Sequence, residues 1–222
     1  EDLVVSECIL DYIDSKTLFN YFTDTPEYQR LKDPYEEFVA LCRDNPAWAA
    51  KYILGKGDFE LLPFQAAILD ILWNKTFPLL ILTRGGGKSF ILAVYATLRA
   101  ILDQNSKEGS KIVIVSASFR QSKVVMEYIE RFWRMSPILQ AACDNPEGMK
   151  KHNDKWEFRF GNSTIVALPL GDGQTIRGIR ATHVLADEFG SIPQDIFEVV
   201  VRGFAAVSQS PVDKVRYIHK IN

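Results

Sequence analysis

Short apolar runs and longer amphipathic segments follow one another in the second part of the chain. Apolar runs at residues 79–82, 111–115 and 182–186 are bounded by glycine, proline or polar residues, and they predict buried strands. Apolar positions recur at helical spacing over residues 89–102 and again over residues 121–135, which predicts two helices between these strands. This order indicates an α/β fold whose central strands are parallel and covered on both faces.

A hairpin and a further helix complete the pattern. Residues 156–160 alternate apolar and polar side chains, and so does the run that follows Ser163. Gly161 and Asn162 separate the two runs, which favours a β-hairpin. We expect another helix over residues 194–202.

Residues 1–60 differ from the rest because prolines interrupt them at short intervals. Pro34 and Pro46 each follow a residue that commonly caps a helix, so the pattern predicts short helices that begin there. The segment 55–57, Gly-Lys-Gly, is typical of a linker. We therefore expect a small helical N-terminal subdomain at residues 1–60 and an α/β core at residues 61–222.

The composition is that of an ordinary globular protein and argues against a membrane-spanning segment. The chain has 222 residues, of which 47% are hydrophobic and 24% charged, as in soluble globular proteins. No apolar run approaches the roughly 20 residues that cross a bilayer. The net charge of −2 is uneven, since residues 1–60 carry 6 basic and 13 acidic side chains whereas residues 61–222 carry 20 and 15. Overall charge therefore does not indicate a nucleic-acid-binding protein, although a local basic face remains open.

The three cysteines, Cys8, Cys42 and Cys143, are scattered along the chain. They form no Cys-x-x-Cys pair, and the three histidines do not cluster with them. We expect reduced, buried thiols rather than a disulfide or a metal site.

The segment Thr83–Ser89 reads Thr-Arg-Gly-Gly-Gly-Lys-Ser and lies between a predicted strand and a predicted helix. This is the context that a phosphate-binding loop requires. Three residues without side chains let successive N–H groups point at one phosphate: Gly85, Gly86 and Gly87. Lys88 would neutralise the β- and γ-phosphates, and the Ser89 hydroxyl would bind Mg²⁺. The usual pattern begins with glycine where this chain has Leu82, and the plain alternative is a glycine-rich turn before a helix.

Two adjacent carboxylates, Asp187 and Glu188, end the third predicted strand. Neighbouring residues of a strand point to opposite faces, but both can reach one site where the chain turns. Asp187 would hold Mg²⁺, directly or through water, and Glu188 would orient and deprotonate the attacking water. Alternatively, such a pair caps a helix.

Two further groups of residues are candidates for nucleotide contacts. Gln65 lies 23 residues before Lys88, and its amide could pair with adenine while the neighbouring Phe64 stacks on the base. The alternative places Phe64 in the core and Gln65 on an exposed helix.

Arginines close to the γ-phosphate promote phosphoryl transfer. Arg84 lies within the loop and could act in its own subunit, whereas Arg177 and Arg180 precede the acidic strand and could reach a neighbouring subunit. Arg177 and Arg180 could instead be a pair of surface arginines. Arg120 and Lys123, which follow the second strand, could contact a phosphate backbone, although Ser118 or Ser122 could equally cap a helix there.

In combination, these residues resemble the large terminases of tailed bacteriophages. The phosphate loop has an internal arginine and lacks the first glycine, and Phe64-Gln65 precedes it. The segment Ile176–Gly190 is similar to the family's Arg-Gly segment, which leads into its acidic strand. The resemblance covers roughly residues 60–205.

The resemblance implies a RecA-like P-loop ATPase with a mainly parallel sheet flanked by helices, which uses ATP and Mg²⁺. It implies partners as well: double-stranded DNA, the portal protein, the small terminase subunit and further copies in a ring, commonly a pentamer, with a monomer as the alternative in isolation. It also implies that the protein acts in the cytoplasm of the infected bacterium and has no membrane partner. By resemblance, the catalytic residues are Lys88, Arg84, Arg177 and Glu188, with Arg180 as the second choice for the trans-acting arginine, and Ser89 and Asp187 bind the metal.

Two departures from the family qualify this interpretation. No clear coupling motif follows residue 205, and the family's C-terminal nuclease domain is not expected within this chain. A helicase or another RecA-like nucleic-acid translocase remains the alternative, as does a nucleotide-sensing module without turnover.

Overall fold

The computed structural model describes residues 34–55, 59–76, 78–83, 85–103, 107–116, 118–169, 181–192 and 194. These residues contain six α-helices: α1 (Pro34–Asp44), α2 (Pro46–Gly55), α3 (Pro63–Asn74), α4 (Lys88–Leu102), α5 (Phe119–Met135) and α6 (Pro137–Ala142). They also contain five strands: β1 (Lys111–Ser116), β2 (Lys150–Lys151), β3 (Trp156–Phe160), β4 (Ser163–Ala167) and β5 (His183–Asp187). A 3₁₀ turn, Phe189–Ser191, follows the last strand.

The helices of the N-terminal segment begin where the prolines predicted. α1 begins at Pro34 and α2 at Pro46, because proline has no N–H to lose in a first helical turn and its φ already suits the helix. α2 runs on to Gly55, one residue into the predicted linker. A Cβ at Gly55 would lie 2.4 Å from the Cβ of Phe59, so the absence of a side chain allows this close approach.

The five strands form one mixed sheet in the order β2-β3-β4-β1-β5. β1 pairs in parallel with both β4 and β5. β3 and β4 form the predicted antiparallel hairpin, in which Gly161 adopts a φ of +51° at the turn. The predicted strands at 111–115 and 182–186 and the hairpin are therefore confirmed, as are the helices that correspond to α4 and α5.

One face of the sheet carries most of the core. Alternate residues of β1, Ile112 and Ile114, are fully buried and belong to a cluster that also contains Phe158, Phe160 and residues of all six helices. The cluster includes Phe38 of α1 and Ile53 of α2, so the described part of the N-terminal segment shares its core with α4. On the other face, Val113, Val115 and Leu168 form a smaller cluster.

The predicted strand at residues 79–82 is wrong. Residues 78–83 form no strand, and the side chains of Leu79 and Ile81 are 70% and 89% exposed. Leu80, which lies between them, packs against the core. A strand needs a hydrogen-bonded neighbour, and no segment within the described residues pairs with this run. An apolar run indicates a tendency to be buried, but it does not supply the partner strand.

The remaining sequence predictions concern thiols and membranes. Cys42 and Cys143 are buried and free, as expected, whereas Cys8 lies outside the described residues. Burial raises the pKa of the Cys42 thiol far above its ordinary value, so this thiol stays protonated and unreactive. No helix within the described residues has the length and apolar character needed to cross a membrane. The helix predicted at 194–202 lies outside the described residues except for Gln194.

Candidate functional site

Two glycines of the predicted phosphate loop adopt a backbone conformation that glycine favours. Gly85 and Gly87 have φ values of +83° and +74°, in the region that side chains rarely adopt. The N–H of Gly86 donates to the carbonyl of Thr83 at 3.0 Å, which closes a tight turn. Gly87 is the N-cap residue of α4, so Lys88 and Ser89 occupy the first two helical positions. The N–H groups at the start of this helix are free of intrahelical partners and favour an anion.

Asp187 meets the first turn of α4 across the sheet. The Ser89 hydroxyl donates to Asp187 Oδ2 at 2.8 Å, although 98 residues separate the two positions in the chain. Asp187 is the last residue of β5, pairs in register with Ser116 of β1 and is only 5% exposed. The fold therefore brings the end of the acidic strand to the end of the phosphate loop.

Glu188 reaches the same edge of the sheet because the chain turns after Asp187. Its φ of +53° makes it the only described residue other than glycine with a positive φ. Its N–H donates to Asp187 Oδ1 at 3.0 Å, and its carbonyl accepts from the N–H of Ser191 at 2.9 Å. The Glu188 carboxylate is exposed and accepts a hydrogen bond from the Gln121 amide of α5.

The Lys88 ammonium group forms no ion pair with any carboxylate of the described residues. The two nearby carboxylates instead accept neutral donors, namely the Ser89 hydroxyl and the Gln121 amide.

Gln65 lies beside the loop, but its carbonyl is occupied. Its Oε1 accepts from the N–H of Leu62 at 3.0 Å, which caps the start of α3. Its Nε2 is directed at the loop, since a Cβ built on Gly87 would lie 3.2 Å from it. Phe64, by contrast, is 48% exposed. The core alternative for Phe64 does not hold, and its side chain remains accessible to a base.

Three predicted site residues, Arg84, Arg177 and Arg180, lie outside the described residues.

The start of α5 contains the other predicted phosphate contacts. Ser118 is the N-cap residue of α5, which agrees with the capping alternative. The Lys123 ammonium lies over the Phe119 ring, 4.4 Å from its centroid.

Gln121 is the site residue that sequence reasoning missed. A signal was present, since Ser118 and Gln121 have the spacing of a capping box and directly follow a strand parallel to the acidic one. That spacing predicts a helix start, however, and says nothing about which side chain of the next strand the Gln amide contacts.

Comparisons with known proteins place this fold. No protein-family profile matches the chain, and no curated protein sequence matches it. The crystal structure of the HK97 bacteriophage large terminase matches with a TM-score of 0.58 and 18% identity, covering 74% of this chain and 35% of that chain. Two crystal forms of the large terminase from a thermophilic bacteriophage match with TM-scores of 0.34 and 0.37 at 13% and 12% identity. They cover 50% of this chain and 26% and 27% of theirs.

The likeness to large terminases that the motifs predicted is thereby confirmed at the level of the fold. The chain spans only 35% of the length of the HK97 structure, so that likeness concerns one part of the larger protein. The described α/β fold is that of the corresponding part of a bacteriophage large terminase.

Proposed function

We propose that this chain is the ATP-hydrolysing motor domain of a viral DNA-packaging terminase, with a helical subdomain at residues 1–60 and a RecA-like P-loop core at residues 61–222. The observation that carries the proposal is the hydrogen bond between Ser89 and Asp187. It joins the phosphate loop to the acidic pair, and a P-loop ATPase needs both at one place.

The loop would bind the phosphates of ATP. N–H groups of the glycine turn and of the first turn of α4 would donate to phosphate oxygens, and Lys88 would lie against the β- and γ-phosphates. Gln65, whose Nε2 lies near Gly87, would pair with the adenine base, and the exposed Phe64 ring would stack on it. Thr83 would form the start of the loop.

Ser89 and Asp187 fit a magnesium ion. Their hydroxyl and carboxylate oxygens are 2.8 Å apart. Two neighbouring ligands of an octahedral Mg²⁺, each bonded at about 2.0–2.1 Å, are separated by about 2.9 Å. Mg²⁺ that is shared with substrate phosphates usually needs only one or two protein carboxylates, so Asp187 and Ser89 would suffice together with the phosphates of ATP. When bound, the ion offsets the negative charge of the transferred phosphoryl group.

Glu188 would act as the general base. Its carboxylate is exposed at the same edge of the sheet as the Ser89–Asp187 pair, where a water molecule could reach the γ-phosphate. The carboxylate would orient that water and accept its proton as the new phosphorus–oxygen bond forms, while the bond from the γ-phosphorus to the β–γ bridging oxygen breaks and ADP leaves. Arg84 in the same subunit and Arg177 or Arg180 from a neighbouring one would stabilise the charge on the phosphoryl group.

The packaging role is supported by the fold shared with the HK97 large terminase. In this role, hydrolysis would drive the movement of double-stranded DNA through a ring of subunits, commonly five, docked on the portal protein in the bacterial cytoplasm. The small terminase subunit would deliver the DNA.

Steady-state hydrolysis of Mg²⁺-ATP tests the proposal, with Glu188→Gln as the test variant. Glutamine keeps the shape of the side chain but cannot accept the proton, so turnover should fall by roughly 10²-fold or more while ATP still binds. Glu127→Gln makes the same chemical change on the exposed face of α5 and should hydrolyse like the parent. Equal turnover in all three proteins would show that Glu188 is not the base.

A further inference from the structure

The first turn of α5 holds the Gln121 amide in one orientation. Gln121 Oε1 accepts from the N–H of Ser118 at 3.2 Å and from the Ser118 hydroxyl at 3.0 Å. Its Nε2 is left to donate to Glu188 Oε2. Rotating the amide by half a turn would place an NH₂ group against the Ser118 N–H and a carbonyl oxygen against the carboxylate. Both contacts would be repulsive, so the amide has one favourable orientation.

This helical turn is itself fixed to the sheet. The Ser116 hydroxyl donates to the Ser118 carbonyl at 2.6 Å, and Ser122 therefore donates its hydroxyl proton to Ser116 at 2.6 Å. Ser116 and Ser122 are fully buried. Because Ser116 also pairs in register with Asp187, the start of α5 keeps a fixed position relative to the acidic pair.

The backbone of Glu188 is fixed, but its side chain has few restraints. Its N–H and carbonyl both form hydrogen bonds, to Asp187 and Ser191. The side chain itself is exposed, and within the described residues Gln121 is the side chain that donates to its carboxylate. A free glutamate would sample several rotamers, and a general base works only when its oxygen faces the water.

We infer that Gln121 is a positioning residue, which holds the Glu188 carboxylate in the orientation that the general base requires. The inference rests on the hydrolysis proposed above. Gln121 touches neither ATP nor water in this role and acts only through Glu188.

Two substitutions separate this role from helix capping. Gln121→Ala removes both the cap and the amide donor. Gln121→Glu keeps an oxygen that accepts from Ser118, because glutamate serves equally well in a capping box, but it replaces the donor with a second carboxylate. The urea midpoint should therefore fall less for Gln121→Glu than for Gln121→Ala.

The expected kinetic result is a loss in kcat for both variants, roughly ten- to a hundredfold, with KM for ATP unchanged. If Gln121→Glu hydrolyses ATP like the parent while Gln121→Ala does not, Gln121 serves only as a cap and the inference is wrong. Parent-like kcat in both variants would also overturn it. These results differ from failure of the proposed function itself, in which the parent and Glu188→Gln hydrolyse ATP equally or not at all.

The contact can also be measured without turnover, through the NMR signals of the Gln121 side-chain NH₂ in the full chain. Glu188→Ala should shift these two proton signals and speed their exchange with water. Glu127→Ala, on the same helix but away from the acidic pair, should leave them in place. If Glu188→Ala leaves them unchanged, Gln121 does not hold Glu188 and the inference fails.

Discussion

Replacing His183 with asparagine should remove a pH-dependent part of the stability of this protein. His183 begins β5, and its ring packs edge-on against Tyr95 of α4 with 5.9 Å between centroids. Burial and the positive charge of Arg99 lower the pKa of His183 from 6.5 to about 4. The folded protein therefore resists protonation of this ring, whereas the unfolded chain accepts the proton readily.

The direction of the pH effect follows from that difference. Since the pKa of His183 is lower in the folded state, its contribution to stability is complete above the unfolded value of 6.5 and is lost as the pH falls towards about 4. With these values the loss between pH 7 and pH 5 is about 2 kcal/mol. The ring is not wholly buried, so about 1–2 kcal/mol is the expected range.

Urea denaturation at pH 7, 6 and 5 measures this loss. Asparagine cannot titrate in this range, and its amide can still reach the Thr182 hydroxyl, which lies 2.9 Å from His183 Nδ1 in the parent. His183→Asn should therefore lose about 1–2 kcal/mol less stability than the parent over this range, whatever its stability at pH 7. His152→Asn, the same substitution at an exposed position, provides the control. An unchanged slope in His183→Asn would refute the reasoning.

Glu130 affects the stability in a lower pH range than His183. Partial burial raises the pKa of Glu130, but the ion pairs with Lys151 and Arg134 outweigh burial and lower this pKa below 4.5. A carboxylate with a lowered pKa stabilises the fold above its unfolded value, and that stability is lost as the pH falls through the folded value. The Glu130 contribution therefore declines mostly below pH 4.5, outside the range used for His183.

Two further predictions concern the fold. Gly109→Ala should destabilise the fold by about 3 kcal/mol or more, because the new Cβ would lie 2.2 Å from the carbonyl oxygen of Asn162. Gly85 also has a positive φ, but its added Cβ would meet nothing within 4 Å, so Gly85→Ala should cost only about 1–2 kcal/mol. Urea denaturation compares the two, and equal losses would place the β3–β4 turn away from Gly109. Ile114→Ala, at a fully buried position, should cost about 2–5 kcal/mol, whereas Ile81→Ala, at a position 89% exposed, should cost less than about 0.5 kcal/mol. A large loss from Ile81→Ala would mean that the apolar run at 79–82 is buried after all.

The sequence pattern was sufficient to predict elements whose hydrophobic periodicity and end residues indicate the same secondary structure. The run at 111–115 became a strand because β4 and β5 pair with it on either side, and Pro34 and Pro46 began helices as their fixed φ requires. The run at 79–82 is equally apolar, but no strand pairs with it within the described residues. Strand formation depends on partners distant in sequence, which local hydrophobicity cannot specify.

The candidate site shows the same division. Glycines, lysine and serine predicted the shape of the loop, because a positive φ and a helix start are local properties. The hydrogen bond between Ser89 and Asp187 spans 98 residues, and the sequence predicted only that both residues serve one magnesium site. The contact between Gln121 and Glu188 depends on how α5 leaves β1 beside β5, which is a property of the sheet register and not of either segment.

The most direct test of the proposed function is to measure ATP binding and phosphate release on the same preparation of Glu188→Gln. Mg²⁺-ATP should bind this variant with the affinity of the parent, since the phosphate loop and the Ser89–Asp187 pair are intact. Phosphate release should be nearly abolished, while the parent and Glu127→Gln release phosphate at equal rates. Parent-like phosphate release from Glu188→Gln, or a parent that does not bind Mg²⁺-ATP, would contradict the assignment of this edge of the sheet as an ATPase site.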